Sequence, residues 1–461
     1  MGKNIIMLYY LSVNWIIYRK SKFLFQVFLG VFFAQSIIFL FGLRLLRPIA
    51  DDYCHAARAG MGFATYFNHW YFTWNSDVAA IIINYFILGF PLVHFPYSLA
   101  SIFTLATSLV ALTLIISILL FQQIGFKVLI KLFPITVASY FSYWMSDNLF
   151  HKESLFKRLS NMILNWQTVN GYYVVLTCLL GSIILYLIKS ELKTRYKWIL
   201  ISLIGFFFGT SGFLLVATIL LFNLIYIVRL FFSKQFTKLL QLVYFSIGLS
   251  FGFIFDYFSP GSQTRSKILE GMPREPILNL KTLLSWTFPT SLIEWVQGIL
   301  QPGALVVIFF GVIIGYLSNY FVKTLQTNIL LEHFFIFLLL SIISSILSQL
   351  SEKFAYEAFW HLVIPYLFIY LSLLILGFIF GNYLPFSRRF SYLIFSLALV
   401  TFMISSVNLL KISNDVKTRN QLWQIGAAPL PEMGDIEIKE GWINICWEEM
   451  KEFKGYPNRN K

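Results

Sequence analysis

The chain has 461 residues, 58% of them hydrophobic and only 12% charged, with a mean hydropathy of +0.73. A soluble globular chain of this length cannot cover its surface with so few polar side chains, so the composition excludes a soluble enzyme and predicts an all-α polytopic membrane protein. The net charge of +14, in such a chain, reports orientation and contact with anionic lipid rather than nucleic acid.

The apolar stretch 5–17 is too short to span and is expected in the headgroup layer, ahead of the basic run 19–22. The next run, 23–46, is longer than a signal-peptide core and has no small-residue cleavage site after it, so it reads as the first transmembrane helix. Further runs of spanning character fall at 97–121, 130–146, 170–188, 198–209, 212–230, 239–257, 303–322, 331–349, 360–380 and 391–410, about eleven crossings in all. The fifth is short and is separated from the sixth only by Gly209-Thr210-Ser211-Gly212. A tight hairpin is expected there; a single bent helix would reverse every later assignment.

With the N-terminus cytoplasmic, the inner segments hold sixteen basic residues against two acids, Glu191 and Glu332, leaving nineteen of the 35 basic and nineteen of the 21 acidic residues outside. The whole net charge then lies on the cytoplasmic face, as the positive-inside rule requires, and the C-terminus is extracytoplasmic. Residues 1–410 form the transmembrane module, with long outer loops at 47–96, 147–169, 258–302 and 350–359; residues 411–461 form a small extracytoplasmic segment, too short for an independent enzymatic domain. Short inner and long, charge-balanced outer loops place the chemistry outside. Of three cysteines, Cys178 falls in an apolar helix, while Cys54 and Cys446 share the outer side, where they could pair.

The first outer loop opens with Asp51-Asp52-Tyr53, directly after the first span. A carboxylate is costly in hydrocarbon but useful at its edge, where water, lipid phosphate and a second substrate meet. Downstream, Phe63, Tyr66, Phe67, Trp70, Tyr71 and Trp74 recur at helical spacing, predicting an amphipathic surface helix. Its polar side, including His69, can roof a substrate site.

An acidic pair after the first transmembrane helix, followed by an outer surface helix, resembles the GT-C superfamily of integral membrane glycosyltransferases. More narrowly, it resembles bacterial members reading D-D-Y, then Y-x-x-W with a small residue and Arg, and later P-G-N-x-x-R. Asp51-Asp52-Tyr53, Tyr71, Trp74, Pro260, Gly261 and Arg265 match; Ser76-Asp77 stand where Gly-Arg would follow, and Ser262 replaces Asn. The resemblance implies transfer of one sugar from a polyprenyl-phosphate donor to an outer-face glycan, glycolipid or protein. It favours Asp51 as the base and leaves Asp52 to orient groups or hold a metal. Tyr53, Tyr71 and Trp74 are then expected in the substrate site beside His69.

Such chemistry needs a base for the acceptor hydroxyl and cations for the departing lipid phosphate. Arg265 can fork two hydrogen bonds onto phosphate and Lys267 adds a point charge, in a Pro-Gly turn suited to face an anion. His361 is a further phosphate candidate, and Tyr356 and Glu357 precede it as substrate contacts. Trp166, among amides and hydroxyls, can stack on a sugar. The stretch 279–298, with Trp286 and Trp295, is expected as a second surface helix that could act as a lid over the cleft. No zinc spacing, P-loop or dinucleotide signature occurs. No cofactor is required; a divalent cation, if bound, would sit on Asp51 and Asp52. The alternatives are a transporter or flippase, or a polymerase, of lipid-linked saccharides. The first wants charged residues lining a path through the spans, and these spans are nearly charge-free.

Overall fold

The computed structural model describes residues 51–74, 77–95, 97–122, 124–145, 170–189, 196–263, 288–318, 327–355 and 362–384, with parts of 23–38 and scattered positions between 393 and 407. Among the described residues every regular element is helical. In chain order they are α1 (Leu29–Ile38), α2 (Asp51–Gly60), α3 (Phe63–His69), α4 (Val78–His94), α5 (Tyr97–Phe121), α6 (Phe126–Met145), α7 (Leu176–Lys189), α8 (Lys197–Gly209), α9 (Phe213–Phe232), α10 (Phe236–Tyr257), α11 (Phe288–Leu300), α12 (Pro302–Leu317), α13 (Thr327–Ala355) and α14 (Val363–Tyr383). Wide π-type turns extend α3 over Trp70–Trp74, interrupt α4 at Tyr85–Gly89 and open α7 at Asn170–Val175.

Six of these helices (α5, α7, α9, α10, α13 and α14) are long and apolar enough to cross a membrane; α11 and α12, bent by 53° at their junction, make a seventh if read as one broken span. This is the architecture of a polytopic membrane protein. Eleven crossings are not reached among the described residues, for identifiable reasons. The run 198–209 yields the 13-residue α8, about 20 Å of rise against a hydrocarbon core of about 30 Å. α6 carries Lys127, Lys131 and Pro134 and ends in hydroxyl and aromatic residues. The runs 23–46 and 391–410 are described only in part.

α14 is the central pole, with 89% of its apolar window buried. Against it α6 presents a polar-tipped aromatic cluster: Tyr140, Tyr143 and Trp144 are buried beside Tyr366 and Tyr370, and the Ser139 and Tyr370 hydroxyls meet at 2.6 Å. Outward faces such as Phe251 and Ile254 on α10, or Phe335 and Leu339 on α13, stay exposed and apolar, as a bilayer-facing surface must.

Glycine decides the two tightest helix contacts. Gly205 and Gly209 of α8 lie against Gly248 and Gly252 of α10; Gly311 and Gly315 of α12 lie against Gly377 and Gly381 of α14. A Cβ at any of these would run into backbone atoms of the facing helix. Each seam is a pair of small-xxx-small patterns, the membrane route to close helix packing where lipid removes the hydrophobic drive. In both seams the residue numbers rise together, so the paired helices are parallel. α9 runs antiparallel to α10, with Phe213 beside Phe253 and Asn223 donating to Ser246. The chain therefore reverses at Thr210–Gly212, and the hairpin expectation holds.

Opposite ends of the bundle collect different chemistry. At one end Gln241 donates to the Leu187 carbonyl, Ser318 to Asn382, and Tyr383 to Thr327. There Arg229 pairs with Glu332 and lies over the Tyr226 ring, whose hydroxyl meets His333 Nδ1 at 2.6 Å. All these residues fall where the charge count expects one common face. α11 is not a free surface helix: Trp295 donates to Ser341 of α13 and Tyr366 of α14 to the Glu294 carbonyl. The described half of the expected lid is thus wedged into the bundle. The segments 5–17, 147–169, 264–287 and 411–461 lie outside the described residues.

Candidate functional site

α2, α3 and α4 form a small unit whose core also takes in Ala100 of α5 and Val175 at the head of α7. Cys54, Ala56, Ala57 and Ala59 of α2 pack against Tyr66, Trp70, Ile81, Ile87, Leu88 and Leu92. Alanines on that face let α4 approach so closely that a Cβ on Gly89 would meet Ala59 and the His55 carbonyl. Gly62, at φ +96°, makes the left-handed turn into α3. A bond from Thr104 to the Ile87 carbonyl (2.6 Å) ties the π turn of α4 to α5.

His55 is the keystone. It is 5% exposed, its Nδ1 meets the Tyr66 hydroxyl at 2.5 Å, and its ring stacks on Trp70 at 4.4 Å. Burial, and then the neighbouring His69, push its pKa down to about 3, so the imidazole stays neutral. Burial also raises the Tyr66 phenol well above its usual value. His69, half-buried, is lowered by desolvation and by the Arg58 charge.

The expected aromatic helix is present but shorter than its spacing suggests. The π turn at Trp70–Trp74 shifts the stripe by one residue. Tyr66 and Trp70 point into the core, Phe67 and Tyr71 stack on each other at 5.5 Å and pack against its edge, and Phe63 is 41% exposed. α2 and α3 are antiparallel about Gly62, so the first turn of α2, bearing Asp51, Asp52 and Tyr53, lies at the same end as Trp70–Trp74. Asp51–Tyr53, His69, Tyr71 and Trp74 therefore share one unit. The side chains of Asp51, Asp52, Tyr53 and Trp74, and the residues Trp166, Arg265, Lys267, Tyr356, Glu357 and His361, lie outside the described residues. Cys54 is disulfide-bonded, whereas Cys178 is a free buried thiol; Cys446 is outside the described residues.

A second acidic pair was not expected. Asp77, at the start of α4, and Asp256, in the last turn of α10, are each 4% exposed and their side chains hydrogen-bond one another. Tyr172 donates to Asp77. The turn Thr210–Gly212 closes the cluster: Thr210 takes the Ala79 N–H on its Oγ1 (3.0 Å) and its carbonyl (3.2 Å). Gly212, at φ +87°, leaves room where a Cβ would press on the Tyr172 hydroxyl and the Asp77 carboxylate. Just beyond, Pro260 opens a short helical segment, with Ser259 bonding the Asp256 carbonyl and the Gln263 N–H returning to Ser259. The Pro-Gly motif is a helix start, with proline at its first position, rather than an open turn.

The sequence carried a signal for this pair. Asp256 is the sole acid in the run 239–257, and an ionisable residue inside an apolar run marks a site by default. Asp77 occupies the place where the resembled pattern has arginine. Among the described residues no three His, Cys, Asp or Glu side chains converge as a metal site. Comparisons with protein-family models, curated proteins and solved structures return no match.

Proposed function

We propose that the chain is a membrane glycosyltransferase that moves one sugar from a polyprenyl-phosphate donor to an acceptor glycan or glycolipid on the extracytoplasmic face. The observation that carries this reading is the position of Asp51 and Asp52 on the first turn of α2, heading a juxtamembrane unit with its own core. The disulfide at Cys54 supports an oxidising, extracytoplasmic location for that unit.

In this reading Asp51 takes the proton of the acceptor hydroxyl as its oxygen attacks the anomeric carbon. The glycosyl–phosphate bond breaks and its electron pair leaves on the polyprenyl phosphate. A positioned base contributes roughly 10²–10⁴-fold. Asp52 orients the acceptor or Asp51. Arg265 and Lys267 hold the phosphate and stabilise its charge as it departs.

The test uses the purified full chain in lipid nanodiscs with radiolabelled polyprenyl-phosphate sugars and a cell-envelope glycan extract as acceptor. The wild type should release free polyprenyl phosphate, and Asp51→Asn should lose about 10²-fold or more of that rate while still binding donor. Movement of intact donor between leaflets without cleavage would identify a flippase instead. An unchanged rate in both Asp51→Asn and Asp52→Asn would overturn the assignment.

A further inference from the structure

We infer that Asp77 and Asp256 share one proton and act as a latch that clamps the start of α4 to the end of α10. Asp77 lies three residues after Trp74 and Asp256 four residues before Pro260. The latch therefore joins the start of α4, which follows Tyr71 and Trp74 in the chain, to the end of α10, which precedes Arg265 and Lys267. Both are positioning residues, and their role in transfer rests on the reading proposed above.

The physical case begins with contact. Two buried carboxyl groups can hydrogen-bond only if one keeps its proton; two carboxylates there would repel in a setting with little water to screen them. Tyr172 donates to Asp77 and so favours the negative charge there, which assigns the shared proton to Asp256. Asp256 Oδ1 is buried with no hydrogen-bond partner, as is the Ser211 hydroxyl of the adjoining turn. An oxygen without a donor is far less costly on a neutral carboxyl than on a carboxylate. Four chain segments meet here (77–79, 172, 210–212 and 256), so opening the pair would release them together.

Among the described residues the groups packed around the pair leave that proton as the variable. α4 contributes Asp77, the π turn before α7 contributes Tyr172 and the buried Tyr173, and the turn 210–212 contributes nothing ionisable. On α10 the neighbouring Tyr257 is 60% exposed. Raising the pH removes the shared proton and favours the open form, whose population then grows about tenfold per pH unit.

Hydrogen exchange on the full chain in nanodiscs, from pH 5 to 9 and corrected for intrinsic rates, reads this directly in peptides spanning 77–82 and 254–263. In the wild type, protection should fall with rising pH. Asp256→Asn supplies a permanent amide donor and should hold protection flat to pH 9; Asp77→Asn leaves Asp256 a buried carboxyl with an unpartnered oxygen and should keep the alkaline loss, and Asp256→Ala should lose protection at every pH. Equal pH dependence in the wild type and Asp256→Asn would overturn the latch. So would recovery of high-pH protection by added Ca²⁺ or Mg²⁺ in the wild type alone, which would make the pair a cation site. In the transfer assay the alkaline fall in rate should vanish in Asp256→Asn. A wild type that transfers no sugar would defeat the proposed activity and leave the exchange result to decide the latch.

Discussion

A neutral imidazole wedged between Tyr66 and Trp70 makes the juxtamembrane unit sensitive to acid. The folded pKa of His55 lies near 3 against an ordinary 6.5, so the opened unit takes up a proton below pH 6.5 that the folded unit refuses until about pH 3. Stability is complete above pH 6.5 and is lost as pH falls through that window, by about 1.4 kcal/mol per pH unit at most. Exchange of the 51–74 amides should report this slope, and His55→Gln should flatten it. Arg265→Ala tests the donor side. Losing a charge-assisted bond to phosphate, about 1.5–3 kcal/mol, should weaken donor binding roughly tenfold to hundredfold; unchanged donor affinity would remove Arg265 from the site. Gly212 makes a third test: its φ of +87° and its contact with Asp77 and Tyr172 predict that Gly212→Ala disturbs the acidic pair itself.

At the scale of helices, the glycine seams hold the bundle's tightest contacts. Gly252→Leu must push α8 from α10 and should cost about 1–3 kcal/mol or more, read by thermal unfolding in detergent. Gly30→Ala, with nothing within 4 Å of the new Cβ, is the matched control and should be neutral or slightly stabilising. These seams were in plain view as small-xxx-small patterns, yet hydropathy treats glycine as a neutral member of an apolar run and does not show which helix it faces. The reversal at Thr210–Gly212 and the aromatic helix α3 were legible because turn glycines and 3.6-residue spacing are local signals. α4 was not, since its apolar stretch is too short to span and lies inside a loop defined only by what surrounds it. Nor was the pairing of Asp77 with Asp256, which are 179 positions apart and brought together only by the packing of α4 against the end of α8 and of α8 against α10. The π turn at Trp70–Trp74 was not legible either, since spacing alone assumes a regular helix.

For the whole molecule, the segregation of chemistry between the two ends is the feature on which the proposed function rests. Arg229, Glu332 and His333 gather at one end, whereas Asp77, Tyr172 and Asp256 gather at the ends of the helices that point the other way. The positive-inside count expects the Arg229 end in the cytoplasm, and the proposed function needs the Asp256 end outside. Asp51 and Asp52 can use an extracytoplasmic acceptor only if their unit lies there. Thiol labelling of intact cells with a membrane-impermeant maleimide measures that placement directly. In a Cys178→Ser background that keeps Cys54 native, Asn68→Cys on the exposed side of α3 and Gln235→Cys between α9 and α10 report the two faces. The account predicts label on Asn68→Cys before lysis and on Gln235→Cys only after it; the reverse pattern would place the acidic pair in the cytoplasm and contradict the account.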